Sequence, residues 1–474
     1  MRFKRTKIVA TIGPSSCDPK VLTELIHAGM NVARLNFSHG SHEEHAQYIH
    51  TIRTVSKKLK VPIAIMQDLS GPKVRIGDFT DGSITLIKGE HFTLSATPCA
   101  GTKEKVFISY PHLHKEVVKG SIILLDDGKV KLEVTDVHEH GVTTKVVVGG
   151  TIKGRRGVNI PGAFKKIDSM TKKDRADLIF GLTHKVDAIA LSFVRYASDV
   201  EKLRALITKQ VTKHAPLIIA KIETAEAVEN IDTIITVSDG VMVARGDMAV
   251  EVSPENVPFI QKQVIQKAVA AGKTVITATQ MLESMIMSPV PTRAEVGDVA
   301  NAILDGTDAI MLSQETAAGS YPVEAVAMMA QIARKTENHS TYRDLLSDAH
   351  AGDNIEIAIA IGRAVVDATH TTNAKAIVAL SESGFTARMI SRCRPMSPIV
   401  VFTTHEETAR QLTLSFACHP FVVSSLKNLE AVIVESKRLI TQQKLAMKRD
   451  HIIIVAGFPL GKLGTTNMMM VQTL

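Results

Sequence analysis

Eight times along the chain a short β-branched run ends in polar residues, usually with a helical stretch behind it. The runs are "TKIVATIGP" (6–14), "NVARLNF" (31–37), "PIAIMQDL" (62–69), "AIALSFV" (188–194), "LIIAKIE" (217–223), "GVMVARGDM" (240–248), "TVITATQM" (274–281) and "AIMLS" (309–313). Runs this apolar suit parallel strands covered on both faces. Amphipathic stretches such as 19–29, 42–59, 198–213 and 256–271 supply the covering helices. Eight β-α units are the count of a (β/α)8 or TIM barrel, whose strand C-terminal ends converge on one mouth. Polar residues at those ends are therefore candidates for a single site, although they are scattered in sequence.

The spacing between the third and fourth runs breaks the pattern. Residues 72–168 hold no convincing amphipathic helix but show alternating strands punctuated by Gly and Asp, such as "GSIILLDDGKVKLEVTDV". That predicts an inserted all-β unit, a small barrel, leaving and re-entering at the mouth as a lid. Beyond about residue 340 the pattern restarts with a helix, "IEIAIAIGRAVVDATH", and strands at 374–380, 397–403, 421–423 and 451–457. The chain thus divides into a first barrel part (1–71), the lid (72–168), a second barrel part (169–340) and a C-terminal α/β domain (341–474). A length of 474 residues fits several cores better than one.

Composition narrows the function. The net charge of +8 admits a nucleic-acid partner, but Lys and Arg are scattered and aromatics are only 4% of residues, too few for stacking platforms. A site for small anions explains the charge better. No apolar run is long enough to span a membrane, and the basic N-terminus has no signal-peptide core. Cys17, Cys99, Cys393 and Cys418 are far apart with no CxxC pair, which predicts free thiols in a cytoplasmic protein.

The strand ends carry the chemistry. Strand 2 gives Arg34, Asn36, Ser38 and His39; strand 3 gives Asp68, then Lys73 and Arg75; strand 5 gives Lys221 and Glu223, two apart and so on one side. Strand 6 gives Arg245, Gly246 and Asp247; strand 7 Thr277 and Thr279; strand 8 Ser313 and Glu315. Glu223 and Asp247 close adjacent strands, and hard oxygen donors suit Mg²⁺ or Mn²⁺. Arg34, Arg75 and Lys221 around such a pair suit a substrate with a phosphate and a carboxylate. No GxxxxGK[ST] motif is present, so a nucleotide would not sit on a P-loop. Taken singly, Arg34 reads as well as a structural ion pair and Lys221–Glu223 as a barrel pair. Thr279 and Ser313 read as helix caps, and Asn36, Ser38 and His39 as turn chemistry. Their shared placement at strand ends favours one site. Another metal-dependent barrel enzyme, such as a lyase, remains an alternative.

The segments "KRTKIVATIGP", "NVARLNFSHG", "QDLSGPKVR", "AKIET", "DGVMVARGDMAVE", "TATQMLESM", "PTRAEVGDVANAILDGTDAIMLSQETAAGSYP" and "LSESGFTARMISRCRP" together resemble the pyruvate kinase family nearly end to end. The resemblance implies the glycolytic transfer of a phosphoryl group from phosphoenolpyruvate to ADP. It implies Mg²⁺ on Glu223 and Asp247, and Lys221 on the transferring phosphoryl and the enolate oxygen. Arg34 and Arg75 become phosphate clamps. Gly246, Asp247 and Thr279, with Ser313 nearby, become the substrate side, and Thr11, Pro14, Asn36, His39, Arg75 and Arg156 the nucleotide side.

Many members bind K⁺ through residues matching Asn36, Ser38, Asp68 and the backbone of Leu69. Here Lys73 stands where those members carry Glu, and the chain resembles the potassium-independent branch, with Lys73 replacing the monovalent cation. The turn Ser381, Glu382, Ser383, Gly384, Phe385, Thr386 resembles the family's effector loop, with Glu382 where bisphosphate-regulated members carry Lys. That implies a monophosphorylated sugar or nucleotide as effector. The resemblance further implies a homotetramer, and a chain ending at Leu474 is expected to lack the extra C-terminal domain of some bacterial members.

Overall fold

All eight runs form strands: Lys7–Thr11, Val32–Asn36, Ala64–Asp68, Ala188–Leu191, Leu217–Ile222, Gly240–Ala244, Thr274–Ala278 and Ala309–Leu312. In this computed structural model, which describes residues 3–163, 167–339, 357–426, 428–460 and 465–474, they close into one parallel barrel. Strand 1 closes on strand 8 in the register Lys7 to Ala309, and strand 3 pairs with strand 4 as Met66 to Ala188. Alternate side chains divide the strands between two cores. Val9, Val32, Met66, Ile219, Met242 and Ile276 fill the barrel interior. Ile8, Ile65, Ile218 and Val275 face the surrounding helices, such as Pro19–Ala28 and His42–Leu59. The second of these helices starts where the sequence supplies a reciprocal cap, Ser41 with Glu44.

The insertion is all-β. Six strands form one sheet in the order Val158–Asn159, Ile122–Leu125, Val130–His138, Gly141–Val148, His91–Ser95, Lys105–Phe107. Ser83–Leu86 pairs separately with Gly150–Lys153. Phe92, Leu94, Ile123 and Val146 belong to a core of its own. The C-terminal sheet runs Cys418–Val422, Ile399–Thr403, Ala376–Leu380, His451–Ala456, all parallel, and then an antiparallel strand, Met468–Thr473, that the sequence pattern did not reveal. The boundary expected at 340/341 falls outside the described residues.

The C-terminal domain docks on the N-terminal end of the barrel. Leu414 packs into the barrel's interior core, and Lys7 Nζ donates to the Cys418 carbonyl at 2.6 Å. Arg394 pairs with Asp308 at 2.7 Å and Arg410 with Asp187 at 2.8 Å, both aspartates standing just before barrel strands. The opposite end, where the strand C-termini gather, is left to the lid. The four cysteines are free, as expected, and among the described residues no helix is long and apolar enough to cross a membrane.

Candidate active site

The residues at the ends of strands 2, 3 and 5 meet beneath the mouth in one buried charged network. Lys221 Nζ lies 2.8 Å from Glu223 Oε1 and 3.3 Å from Asp68 Oδ1, and donates to Ser192 Oγ at 2.7 Å. Arg34 Nε donates to Asp68 Oδ2 at 2.7 Å, and its Nη1 donates to Thr11 Oγ1 at 3.0 Å. Asp68 thus sets the direction of two cations, one on each oxygen. Burial works against the charged forms, but Lys221 and Arg34 outweigh it and hold the Asp68 carboxyl below its ordinary value. Burial would likewise lower the Lys221 ammonium, and Asp68 and Glu223 reverse this and raise it.

Glu223 is fully buried, and burial raises its carboxyl despite Lys221, with the Asp247 charge adding to the rise. Its Oε2 accepts from the Phe193 N–H at 2.8 Å, and its Oε1 faces the Lys221 ammonium at 2.8 Å. A buried carboxylate with a second carboxylate near enough to raise its pKa is a hard-oxygen donor pair that fits a divalent cation. Among the described residues no three His, Cys, Asp or Glu side chains gather as a complete cage. Two carboxylates, with the remaining positions left to water and substrate, is the pattern Mg²⁺ prefers.

Between barrel and lid lies a cleft of about 780 Å³, with Gly246, Asp247, Thr279 and Ser313 on the barrel side and Asp127 and Gly128 on the lid side. Thr279 has φ +69°, costly for a β-branched residue, and Gln280 follows at +52°. Arg245 holds this turn: its guanidinium donates to the Thr279 and Gln280 carbonyls and pairs with Asp298. The strand-end Arg245 therefore shapes the site instead of facing the cleft. The Thr279 hydroxyl accepts from Gly246 N–H at 2.8 Å, which fixes strand 6 against strand 7. Ser313 N–H donates to Glu315, a buried acid that ties the turn after strand 8.

The remaining residues lie on the loops beyond these strand ends and on the lid. Asn36 Oδ1 accepts from Ser38 N–H, and Ser38 Oγ accepts from Ser70 at 3.1 Å, linking the loops after strands 2 and 3. His39 has its imidazolium form disfavoured by burial and then by Arg75, Arg34 and Lys73, which places it among those cations. Lys73 Nζ lies 3.6 Å from Asp247 Oδ1. Asp68 makes its ion pairs with Arg34 and Lys221. Leu69 gives its carbonyl to Ser192 Oγ at 2.6 Å. Arg75 sits on the lid connection, donating to the Arg155 carbonyl, and Arg156 pairs with Asp126 inside the lid at 3.5 Å. Pro14 is exposed on the loop after strand 1.

The turn Ser381–Thr386 lies elsewhere, at the end of Ala376–Leu380. Gly384, at φ +80°, caps the helix Phe385–Arg392, and Ser383 gives its carbonyl to Arg388. Glu382 is turned onto Thr404, accepting from its hydroxyl at 2.5 Å and its N–H at 3.2 Å. Ser381 is buried, and Thr386 bonds to Thr466.

Sequence reasoning missed Ser192 and Phe193, which close strand 4. Their run "ALSFV" carries no charge, and the strand-end rule alone would have flagged them.

Comparison with known proteins agrees with this architecture. The family described as "Pyruvate kinase, barrel domain" matches residues 3–326, and "Pyruvate kinase, alpha/beta domain" matches 359–472. A pyruvate kinase of Sporosarcina psychrophila is 45% identical over 474 residues, covering 100% of this chain and 81% of that protein. One from Staphylococcus aureus (strain MRSA252) is 46% identical over 473 residues, covering 99% and 80%. A crystal structure of a pyruvate kinase from Cryptosporidium parvum superposes with a TM-score of 0.93 at 38% identity, covering 99% of this chain and 96% of that one. With a (β/α)8 barrel, a lid inserted after its third strand and a C-terminal α/β domain, the chain belongs to the pyruvate kinase family of phosphotransferases.

Proposed function

We propose that this chain moves the phosphoryl group of phosphoenolpyruvate onto ADP, giving pyruvate and ATP. The observation that carries the reading is Lys221: a buried ammonium held among Asp68, Glu223 and Ser192 at the strand ends, with Arg34 alongside. Phosphoryl transfer asks mainly for positioning and for charges fixed in advance. A lysine held on three sides loses little orientation when charge develops beside it.

The roles follow from the placement. Glu223 and Asp247 would hold Mg²⁺ or Mn²⁺, which when bound supplies positive charge to the phosphoryl and enolate oxygens. Lys221 and Arg34 neutralise the phosphoryl oxygens as the bond from phosphorus to the enol oxygen breaks and the bond to the terminal ADP oxygen forms. The backbone at Gly246–Asp247 and the Thr279 hydroxyl receive the substrate carboxylate, next to Ser313. The enolate then takes a proton at carbon, on the Thr279 side, through water. Thr11, Pro14, Asn36, His39, Arg75 and Arg156 form the nucleotide side, with Thr11 acting through Arg34. The lid excludes water, which limits loss of the phosphoryl group to hydrolysis.

Lys73 supplies the charge that K⁺ supplies in other members, so K⁺ is not required. Two facts support this: its ammonium already stands beside Asp247, and both Asp68 oxygens are engaged by Arg34 and Lys221. For the turn Ser381–Thr386 we favour a single phosphate from a sugar or nucleoside monophosphate, because the Glu382 carboxylate would repel a second. A homotetramer is favoured by exposed Phe259, Met287 and Val290 on the barrel and by the strand Met468–Thr473 at the sheet edge. The test is ATP formation from phosphoenolpyruvate and ADP with Mg²⁺. A lyase would consume phosphoenolpyruvate without making ATP.

A further inference from the structure

The helix Lys172–Thr183 starts just after the lid's return to the barrel and lies behind the mouth. Its first turns grip two different site loops. Lys173 Nζ donates to the Phe37 carbonyl at 2.7 Å and to Asp177 Oδ2 at 2.6 Å. Phe37 begins the loop that carries Ser38 and His39. One residue on, Asp174 is fully buried and its Oδ1 accepts from Gly71 N–H at 3.1 Å. Gly71 lies in the loop that leads to Lys73 and Arg75. Its φ is +67°, and a Cβ there would meet the Phe193 ring at 2.7 Å, so this loop is pressed against the end of strand 4.

The same helix is itself anchored. Asp174 Oδ2 accepts from Thr171 N–H and Oγ1, closing a capping box. Buried Asp177 binds His42 Nε2 at 2.8 Å, and its carbonyl accepts from Gln67 on strand 3. Arg175 pairs at 3.0 Å with Asp168, on the segment returning from the lid. One helical turn thus touches the loop after strand 2, the loop after strand 3 and the lid's return segment.

We propose that Lys173 is a positioning residue for nucleotide binding, and that the first turn of its helix sets the two phosphate-side loops and the lid's return as one unit. Capping explains Thr171 and Asp174. It does not explain a lysine aimed across at the Phe37 carbonyl with a buried aspartate holding its ammonium there. The proposal rests on the reading that the Asn36–His39 loop faces ADP.

The test is steady-state kinetics of the full chain, with ADP and phosphoenolpyruvate varied separately, for Lys173→Met, Lys173→Arg, Asp177→Asn and His39→Ala. Losing a hydrogen bond to a charged group at a partly exposed position predicts a KM for ADP raised roughly three- to tenfold in Lys173→Met. The KM for phosphoenolpyruvate and the melting temperature are expected to change little. Lys173→Arg recovers most of the loss, and Asp177→Asn, which frees the ammonium without removing it, moves KM for ADP in the same direction. If His39→Ala raises KM for ADP while Lys173→Met and Asp177→Asn do not, the positioning role is wrong. Equal changes in both KM values without rescue by Arg mean a structural role and equally overturn it. If His39→Ala leaves KM for ADP unchanged, the nucleotide assignment itself fails, and the proposal with it.

Discussion

Lys73, on the segment that leads from strand 3 into the lid, sets its ammonium 3.6 Å from the Asp247 carboxylate at the end of barrel strand 6. A fixed positive charge at this place predicts nearly full activity in buffer free of K⁺ and Na⁺. Replacing it by the acid found in K⁺-using members, Lys73→Glu, puts a like charge beside Asp247. The rate without K⁺ should fall by tenfold or more, roughly the effect of removing a charge-assisted contact worth about 1.5–3 kcal/mol. Added K⁺ should restore part of it. Strong K⁺ activation of the unaltered chain would refute the assignment.

Ser192 Oγ accepts from Lys221 at 2.7 Å and donates to the Leu69 carbonyl at 2.6 Å. Ser192→Ala removes one of three partners of a buried ammonium. A loss of about 1.5–3 kcal/mol would lower kcat roughly 10- to 100-fold, with a smaller change in KM for phosphoenolpyruvate. An unchanged kcat would show that Asp68 and Glu223 suffice to aim Lys221.

Asp308 joins the two large domains. It pairs with Arg394 and accepts from the Phe416 and Val275 N–H groups, and the Arg394 side chain is only 2% exposed. Asp308→Asn leaves a buried guanidinium without its counter-charge, a change that costs about 3–5 kcal/mol. Urea unfolding should show a lower midpoint. The double variant Asp308→Asn/Arg394→Met should recover part of the loss.

Glu251, at the end of the helix Arg245–Val252, receives the lid's Asn159 Nδ2 at 3.4 Å. Burial pushes its carboxyl up from 4.5 to about 7; the Asn159 bond opposes this, and Glu226 and Asp247 add to the rise. Between those values the native chain keeps a proton that the unfolded chain has released. Stability should therefore fall as pH rises from about 4.5 to about 7, then level off. Melting curves across this range, with a chelator present, should show that Glu251→Gln loses this slope and is the more stable form above pH 7. An unchanged slope in the variant would assign the titration to another group.

The barrel was legible because β-branched runs and helical periods repeat, and the strand-end rule then turned distant residues into one site. Lys221, Glu223, Asp68 and Arg34 were all found this way. The rule gives a position along a strand, not a direction. Arg245 stands at a strand end like the site residues but turns toward Asp298 and the Thr279 loop. Ser192 went unnoticed because it is uncharged, and run 188–194 stops being a strand at Leu191, before Phe193 at φ +53°. Strand Met468–Thr473 was missed at the edge of its sheet. Lys173 was invisible for a different reason: its pair with Asp177 reads as an ordinary helix-surface pair, and its other partner is the Phe37 carbonyl, which no side chain signals.

The pairing of Lys7 with Ala309 bears on how the molecule is made. The first barrel strand waits for the last, so the ring cannot close on a growing chain until the eighth strand has left the ribosome. The lid, with its own core, emerges in between, and its two sheets use no strand beyond Val158–Asn159. Domains complete themselves in order of synthesis. The lid should therefore fold first, while strand 3 still lies open, waiting for strand 4. For that interval its apolar edge is a liability, and a truncated chain ending within the lid should aggregate through it.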